Sequence, residues 1–153
     1  VLGKKAGLTV LLIDALKGAI PVLVVTYATQ LDYEWSLAVG ISSIFGHTFS
    51  PFIKFKGGKG VATSAGTFLA LVPQAFGTSF ATFVCVVLLT KFVSLGSILA
   101  SIVLPIACAF LYPSKPALWQ ACTVLAIFIT YKHRSNIGRL FRGEENRLNW
   151  SKK

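Results

Sequence analysis

The sequence predicts an all-α polytopic membrane protein, a bundle of about six transmembrane helices in one membrane domain spanning residues 1–153. Composition is the first reason. Of the residues, 54% are hydrophobic and 13% charged, whereas a soluble domain carries about 25% charged residues to wet its surface. Patterning is the second: the apolar residues fall into long stretches near or above the roughly 20 residues that cross a bilayer as a helix. The third is the net charge of +10, which gathers in the connections between those stretches, as cytoplasmic loops do. A basic chain can also signal nucleic-acid binding, but clusters flanking apolar spans have the simpler cause, and no nucleic-acid partner is expected.

Lys4 and Lys5 put the start of the chain in the cytoplasm. Residues 6–29 form the first crossing, and Leu31-Asp32-Tyr33-Glu34 a short acidic external turn. Residues 35–53 return to a connection holding Lys54, Lys56 and Lys59. The stretch 61–90 divides at Pro73, because proline removes a helix amide donor. Spans 61–72 and 74–90 result. Residues 92–112 then exit, Pro113-Ser114-Lys115-Pro116 turns outside, and residues 117–131 return. Taken as one crossing, 61–90 would export a tail bearing Lys132, Arg134, Arg139, Arg142, Arg147, Lys152 and Lys153 against only Glu144 and Glu145. Parity therefore favours six crossings over five, with cytosolic loops at about 54–60 and 132–153. The short span 61–72 covers only about 18 Å of a roughly 30 Å hydrocarbon core and needs protein at one end. No internal repeat suggests an inverted-repeat transporter. Cys85, Cys108 and Cys122 lie within apolar runs without CxxC spacing and are expected to be small packing residues. With no methionine, the chain is expected to lack N-terminal residues.

Chemistry concentrates in two segments. In Lys56-Gly57-Gly58-Lys59-Gly60, glycines surround a lysine just before a helix begins. Glycine lets backbone amides approach an anion, a helix N-terminus adds N–H groups and positive dipole, and Lys59 adds a full charge. The spacing is not that of a Walker A loop, and a plain basic turn is the bland alternative. His47, near the cytosolic end of the preceding span, has Ser50 on the same helical face at i+3, and the bland reading is a capped polar residue at the membrane interface. In the second segment, a continuing helix would put His133 and Asn136 on one face, and Lys132, Asn136 and Arg139 on a neighbouring one. Such a surface can present several donors to a phosphate, or serve as a basic anchor with Ile137, Leu140, Phe141 and Trp150 dipping into lipid. Asp14 and Lys17, charged inside the first span, are spaced to pair with each other. No metal site or cofactor is expected: the histidines are His47 and His133, with few carboxylates near them.

Across Gly46-His47-x-Phe49-Ser50-x-Phe52, Phe55-Lys56-Gly57-Gly58-Lys59-Gly60-Val61-Ala62-Thr63, His133-Arg134-x-Asn136-Ile137-x-Arg139-Leu140 and Gly143-Glu144-Glu145, the chain resembles the bacterial acyl-phosphate:glycerol-3-phosphate acyltransferase (PlsY) family. The resemblance extends to Gly3-Lys4-Lys5-Ala6-Gly7 and Asp14-x-x-Lys17-Gly18. It implies a bacterial inner-membrane enzyme of phospholipid biosynthesis that moves a fatty acyl group from acyl phosphate to sn-glycerol 3-phosphate, releasing lysophosphatidic acid and phosphate. It implies seven membrane helices in a complete member, so the first span and a Ser-Gly-Asn-x-Gly-Ala-Thr-Asn motif with following arginines would belong to the missing part, and this chain alone would be inactive. Catalytic roles fall to His133 and Asn136, substrate binding to Lys56, Gly57, Gly58, Lys59, Gly60 and Arg139, and support to His47 and Ser50. The implied partners are acyl phosphate, glycerol 3-phosphate and the bilayer, with the chain a monomer. A transporter of a phosphorylated small molecule is the alternative, against which stands the lack of ionisable residues strung across several spans.

Overall fold

The structure, a computed structural model, describes residues 3–149 apart from 30, 52, 53 and 56 and apart from the side chain of Lys4. The described residues form seven helices and no strand: α1 (Gly3–Ala28), α2 (Tyr33–Thr48), α3 (Val61–Leu71), α4 (Pro73–Thr90), α5 (Val93–Leu111), α6 (Pro116–Lys132) and α7 (Arg134–Phe141). They make an integral membrane helical bundle. Within this set, Lys5–Ala28, Pro73–Thr90 and Val93–Leu111 are long and apolar enough to cross a membrane. Helices α2, α3 and α6, with 16, 11 and 17 residues, are shorter. Pro73 divides the long apolar stretch as its chemistry requires: α3 ends at Leu71, Val72 caps it, and proline opens α4 at a position where no amide donor is needed.

The chain forms two compact units, Val1–Pro73 and Gln74–Lys153. In the first, α1 packs on α2 and α3. Lipid tails give helices no hydrophobic reason to associate, so close backbone approach and polar contacts must hold them together. Gly18 and Gly66 supply the approach: a Cβ on Gly66 would overlap the Ala15 carbonyl, and one on Gly18 the Thr63 carbonyl. Thr67 Oγ1 donates to the Gly18 carbonyl at 3.4 Å, and the Thr26 and Ser36 hydroxyls meet at 2.9 Å. Val22, Leu37, Ile44 and Phe68 are buried in this unit, while Leu8, Leu11, Leu12, Ile13 and Ile20 of α1 are exposed on a surface suited to lipid.

In the second unit, Ser79 Oγ donates to the Ala100 carbonyl at 2.7 Å, tying α4 to α5. Leu104 and Cys108 on α5 are buried, as are Leu118, Cys122 and Leu125 on α6. Cys108 and Cys122 lie with sulfurs 3.9 Å apart as free thiols, the packing role their apolar setting suggests. Lys91 makes the α4–α5 turn in the left-handed region (φ 64°). Its carbonyl accepts the Leu148 amide at 2.7 Å, so the segment after α7 and the α4–α5 turn share one end of this unit.

The glycine contact makes a direct prediction. Gly66→Leu should lower the thermal unfolding midpoint in detergent by an amount equivalent to about 1–3 kcal/mol, the usual cost of overpacking. Gly77→Leu on α4, where nothing lies within 4 Å of the added Cβ, should leave the midpoint unchanged.

Candidate functional site

Between α2 and α3 the chain comes back against the last turn of α2 at Gly57, Gly58 and Gly60. The helix stops at Thr48, short of the span end expected at residue 53, and Phe49 caps it. Ser50 precedes Pro51, which disfavours helical backbone. Ser50 is thus outside the helix and does not share a helical face with His47, correcting the i, i+3 reading. What Ser50 supplies in the loop is its carbonyl, which accepts the Phe55 amide at 2.9 Å. Lys54 and Phe55 both take left-handed backbone (φ 52° and 60°), reversing the chain, and the Gly57 amide then donates to the Thr48 carbonyl at 3.2 Å. Lys56 lies outside the described residues.

The loop approaches α2 so closely that Gly58 admits no side chain: a Cβ there would overlap Nε2 of His47. Gly60 is in left-handed backbone (φ 81°), which only glycine adopts without strain, and there it becomes the N-cap of α3. Among the described residues, no side-chain hydrogen bond caps this helix end. Around it, the hydroxyls of Thr48, Thr63 and Ser64 are buried and have no hydrogen-bond partner among the described residues. A Cβ on Gly60 would lie 3.2 Å from Thr48 Oγ1, so the buried hydroxyl adjoins the helix start. Half-buried Lys59 sits between Gly58 and Gly60. Backbone amides, a dipole end, a cation and buried hydroxyls make a setting for an oxygen-rich anion.

His47 reaches a second partner. Its Nδ1 lies 3.6 Å from Oδ1 of Asp14 on α1, the same oxygen that Lys17 meets at 2.5 Å. The Asp14–Lys17 pair is therefore as its spacing suggests, with the addition of the imidazole.

In the second unit, the helix does not run on through His133. α6 ends at Lys132, and α7 starts at Arg134. The joint is held by His133 itself, 3% exposed, whose backbone amide donates to the Ile129 and Thr130 carbonyls and whose Nδ1 lies 2.8 Å from the Ile129 oxygen. A carbonyl only accepts, so Nδ1 carries a proton in this contact. Lys132 thus falls on a different helix from Asn136 and Arg139, so the three do not lie on one continuous helix. Asn136 and Arg139 remain together on α7, brought to one carboxylate: Glu145 Oε1 accepts Asn136 Nδ2 at 2.6 Å and Ser94 Oγ at 2.7 Å, and Oε2 accepts Arg139 Nε at 2.7 Å.

Glu145 is the residue whose part composition and spacing left unassigned. Its side chain is 6% exposed. Burial alone would push its carboxyl up, but hydrogen bonds from Asn136, Ser94 and Arg139, with the Arg139 charge, outweigh that and hold it below the usual carboxylate range. The signal available in the sequence was a carboxylate at the end of a basic segment, where a buried cation needs a counter-charge. Neighbouring Glu144 pairs with Arg142 at 2.7 Å on the exposed surface, an interaction of small value.

A family model described as glycerol-3-phosphate acyltransferase matches residues 1–143. The chain belongs to that family. It is 45% identical over 148 residues to the glycerol-3-phosphate acyltransferase of Fusobacterium nucleatum subsp. nucleatum, covering 97% of this chain and 75% of that protein. To the one from Geobacter sulfurreducens it is 42% identical over 149 residues, covering 96% and 75%. Among solved structures, it is similar to PlsY, an integral membrane glycerol 3-phosphate acyltransferase, in its glycerol 3-phosphate form: TM-score 0.87, 38% identity, 97% of this chain and 74% of that one. The lysophosphatidic acid form gives 0.86 and 37%. Both likenesses extend over 97% of this chain, and nothing in the descriptions of these relatives supports a transporter.

The depressed Glu145 carboxyl sets a pH dependence. A carboxyl held low in the folded state contributes stability that is present above its ordinary value of 4.5 and lost as pH falls through the folded value. The unfolding midpoint should therefore fall on acidification below that value, and Glu145→Gln should flatten the fall while lowering the midpoint at neutral pH by roughly 5 °C, since the Arg139 charge loses its partner.

Proposed function

We propose that this protein transfers a fatty acyl group from acyl phosphate to the 1-hydroxyl of sn-glycerol 3-phosphate, working as a monomer in the bacterial plasma membrane with six crossings in this chain and its 54–60 and 132–153 segments on the cytosolic side. Family membership supports the acyltransferase class, and the relatives named above carry glycerol-3-phosphate acyltransferase in their names. The observation that carries the substrate reading is the start of α3, with Lys59, the close-lying glycines and the Thr48, Thr63 and Ser64 hydroxyls, which have no hydrogen-bond partner among the described residues, around it.

In this reading Lys56, Gly57, Gly58, Lys59 and Gly60 receive the phosphate of glycerol 3-phosphate. Amides of the loop and of the first α3 turn donate to its oxygens, and Lys59 balances its charge. Arg139 adds an anion contact through the part of its guanidinium beyond Nε, while Nε stays on Glu145. His133 and Asn136 act at the reacting phosphate and hydroxyl groups, each with one edge fixed by its own hydrogen bond: His133 by the Ile129 carbonyl, Asn136 by Glu145. His47 and Ser50 support the loop.

The chemistry asks little of any side chain. The hydroxyl oxygen bonds to the acyl carbonyl carbon, the bond from that carbon to the phosphate oxygen breaks, and inorganic phosphate departs with the electron pair. A phosphate oxygen of the substrate can take the hydroxyl proton. The protein's work is to hold two anions in attacking geometry and to offset their repulsion. A lysine or arginine about 4 Å from each phosphate offers roughly 4 kcal/mol at an effective dielectric of 20.

Two measurements test this reading. The full product of the gene, purified in detergent, should release phosphate from palmitoyl phosphate only when glycerol 3-phosphate is present, whereas accumulation of glycerol 3-phosphate in proteoliposomes without phosphate release would make it a transporter. Lys59→Ala should raise the KM for glycerol 3-phosphate by roughly ten- to a hundredfold, the loss of one charge-assisted contact, and barely alter that for acyl phosphate. Equal effects on both would remove Lys59 from the glycerol-phosphate site.

A further inference from the structure

Asp14 is an anionic side chain in the middle of a membrane-crossing helix, 18% exposed. Lys17, one turn along, already meets its carboxylate and would suffice to neutralise it. The carboxylate nevertheless turns the same oxygen toward a second helix, 3.6 Å from Nδ1 of His47, whose side chain is 14% exposed. The opposite edge of that imidazole faces the loop, where Gly58 lies too close to Nε2 for any side chain between them. Carboxylate, imidazole and glycine backbone thus form a stack across α1, α2 and the loop, ending one residue before Lys59.

We infer that Asp14 is a positioning residue for the glycerol-phosphate loop, acting through His47. At 3.6 Å the carboxylate acts on the imidazole as a nearby charge, favouring the form and ring orientation that turn Nδ1–H toward it. The ring so oriented then backs the Gly57–Gly60 backbone, so that its amides and Lys59 keep the geometry an anion needs. Thr48, the neighbour of His47, extends the same support through its carbonyl, which accepts the Gly57 amide. This inference rests on the loop being the glycerol 3-phosphate site.

The test is calorimetric binding of glycerol 3-phosphate to the detergent-purified protein, alongside steady-state kinetics and thermal unfolding. In Asp14→Asn the Kd and KM for glycerol 3-phosphate should weaken about tenfold with the KM for acyl phosphate unchanged, and the unfolding midpoint should fall because Lys17 loses its partner, a fall that Asp14→Glu does not share. Asp14→Glu should recover most of the affinity. In the background of His47→Gln, which should itself weaken binding, adding Asp14→Asn should cost nothing further. Unchanged binding in Asp14→Asn would overturn the inference, as would additive losses in the double variant, or a fall in unfolding midpoint shared by Asp14→Asn and Asp14→Glu. Should the unaltered protein bind no glycerol 3-phosphate, the loop's assignment itself fails. Binding that is present but indifferent to Asp14 overturns the positioning role alone.

Discussion

The backbone of residues 57–60 lies against the last turn of α2 at a distance that excludes side chains, and the rest of the first unit is arranged around that approach. Gly58 faces the His47 ring, Gly57 is hydrogen-bonded to the Thr48 carbonyl, and Gly60 turns through left-handed backbone into α3. Each constraint has its own residue, and together they deliver the helix start with no side-chain hydrogen bond capping it among the described residues. Elsewhere, Ser, Thr, Asp or Asn would fill that place. Leaving a helix N-terminus uncapped beside buried hydroxyls costs stability, and the cost is recovered when an anion occupies it.

Holding such a site in a membrane calls for contacts that lipid cannot replace. Helix α3 has only 11 residues, too few to span the bilayer alone. Its stability comes from Gly18 and Gly66, which let α1 and α3 touch backbone to backbone, and from the Thr67 hydroxyl on the Gly18 carbonyl. The Asp14–Lys17 pair sits on the same α1 surface, so the helix that supports α3 also supports the loop preceding it. The second unit uses the same device of satisfied polar groups: Glu145 gathers Ser94, Asn136 and Arg139, fixing α7 to the start of α5, and the Leu148 amide closes on Lys91. The helix end at His133 is made by its own ring and amide, so a residue of the functional motif is also a structural joint.

The helices were legible because membrane helices announce themselves by length and apolarity, and Pro73 marks its break by the donor it lacks. The glycine–lysine loop was legible through composition: three glycines around a lysine before a helix have few plain structural uses. What the sequence did not disclose were contacts between positions far apart in the chain. Asp14 and His47 give no sign of each other in local spacing, and Glu145 looked like one of two equivalent acids until Ser94, distant along the chain, met it. The helix-period argument also failed at both helix ends that matter. Ser50 lost its face to Pro51, and Lys132 and Asn136 fall on two helices because His133 ends the first of them. Periodicity assumes an unbroken helix, and functional residues concentrate where helices stop.

The claim at the centre of this account is that the phosphate of glycerol 3-phosphate rests on the start of α3. Phosphorus–nitrogen dipolar dephasing in solid-state magnetic resonance measures that contact directly, using protein labelled with heavy nitrogen at glycine and lysine, reconstituted in lipid with glycerol 3-phosphate bound. The account predicts strong dephasing of the Gly58 and Gly60 amides and of the Lys59 ammonium, each within hydrogen-bonding reach of a phosphate oxygen. Bound ligand that leaves all of these signals undephased would place the phosphate elsewhere and contradict it.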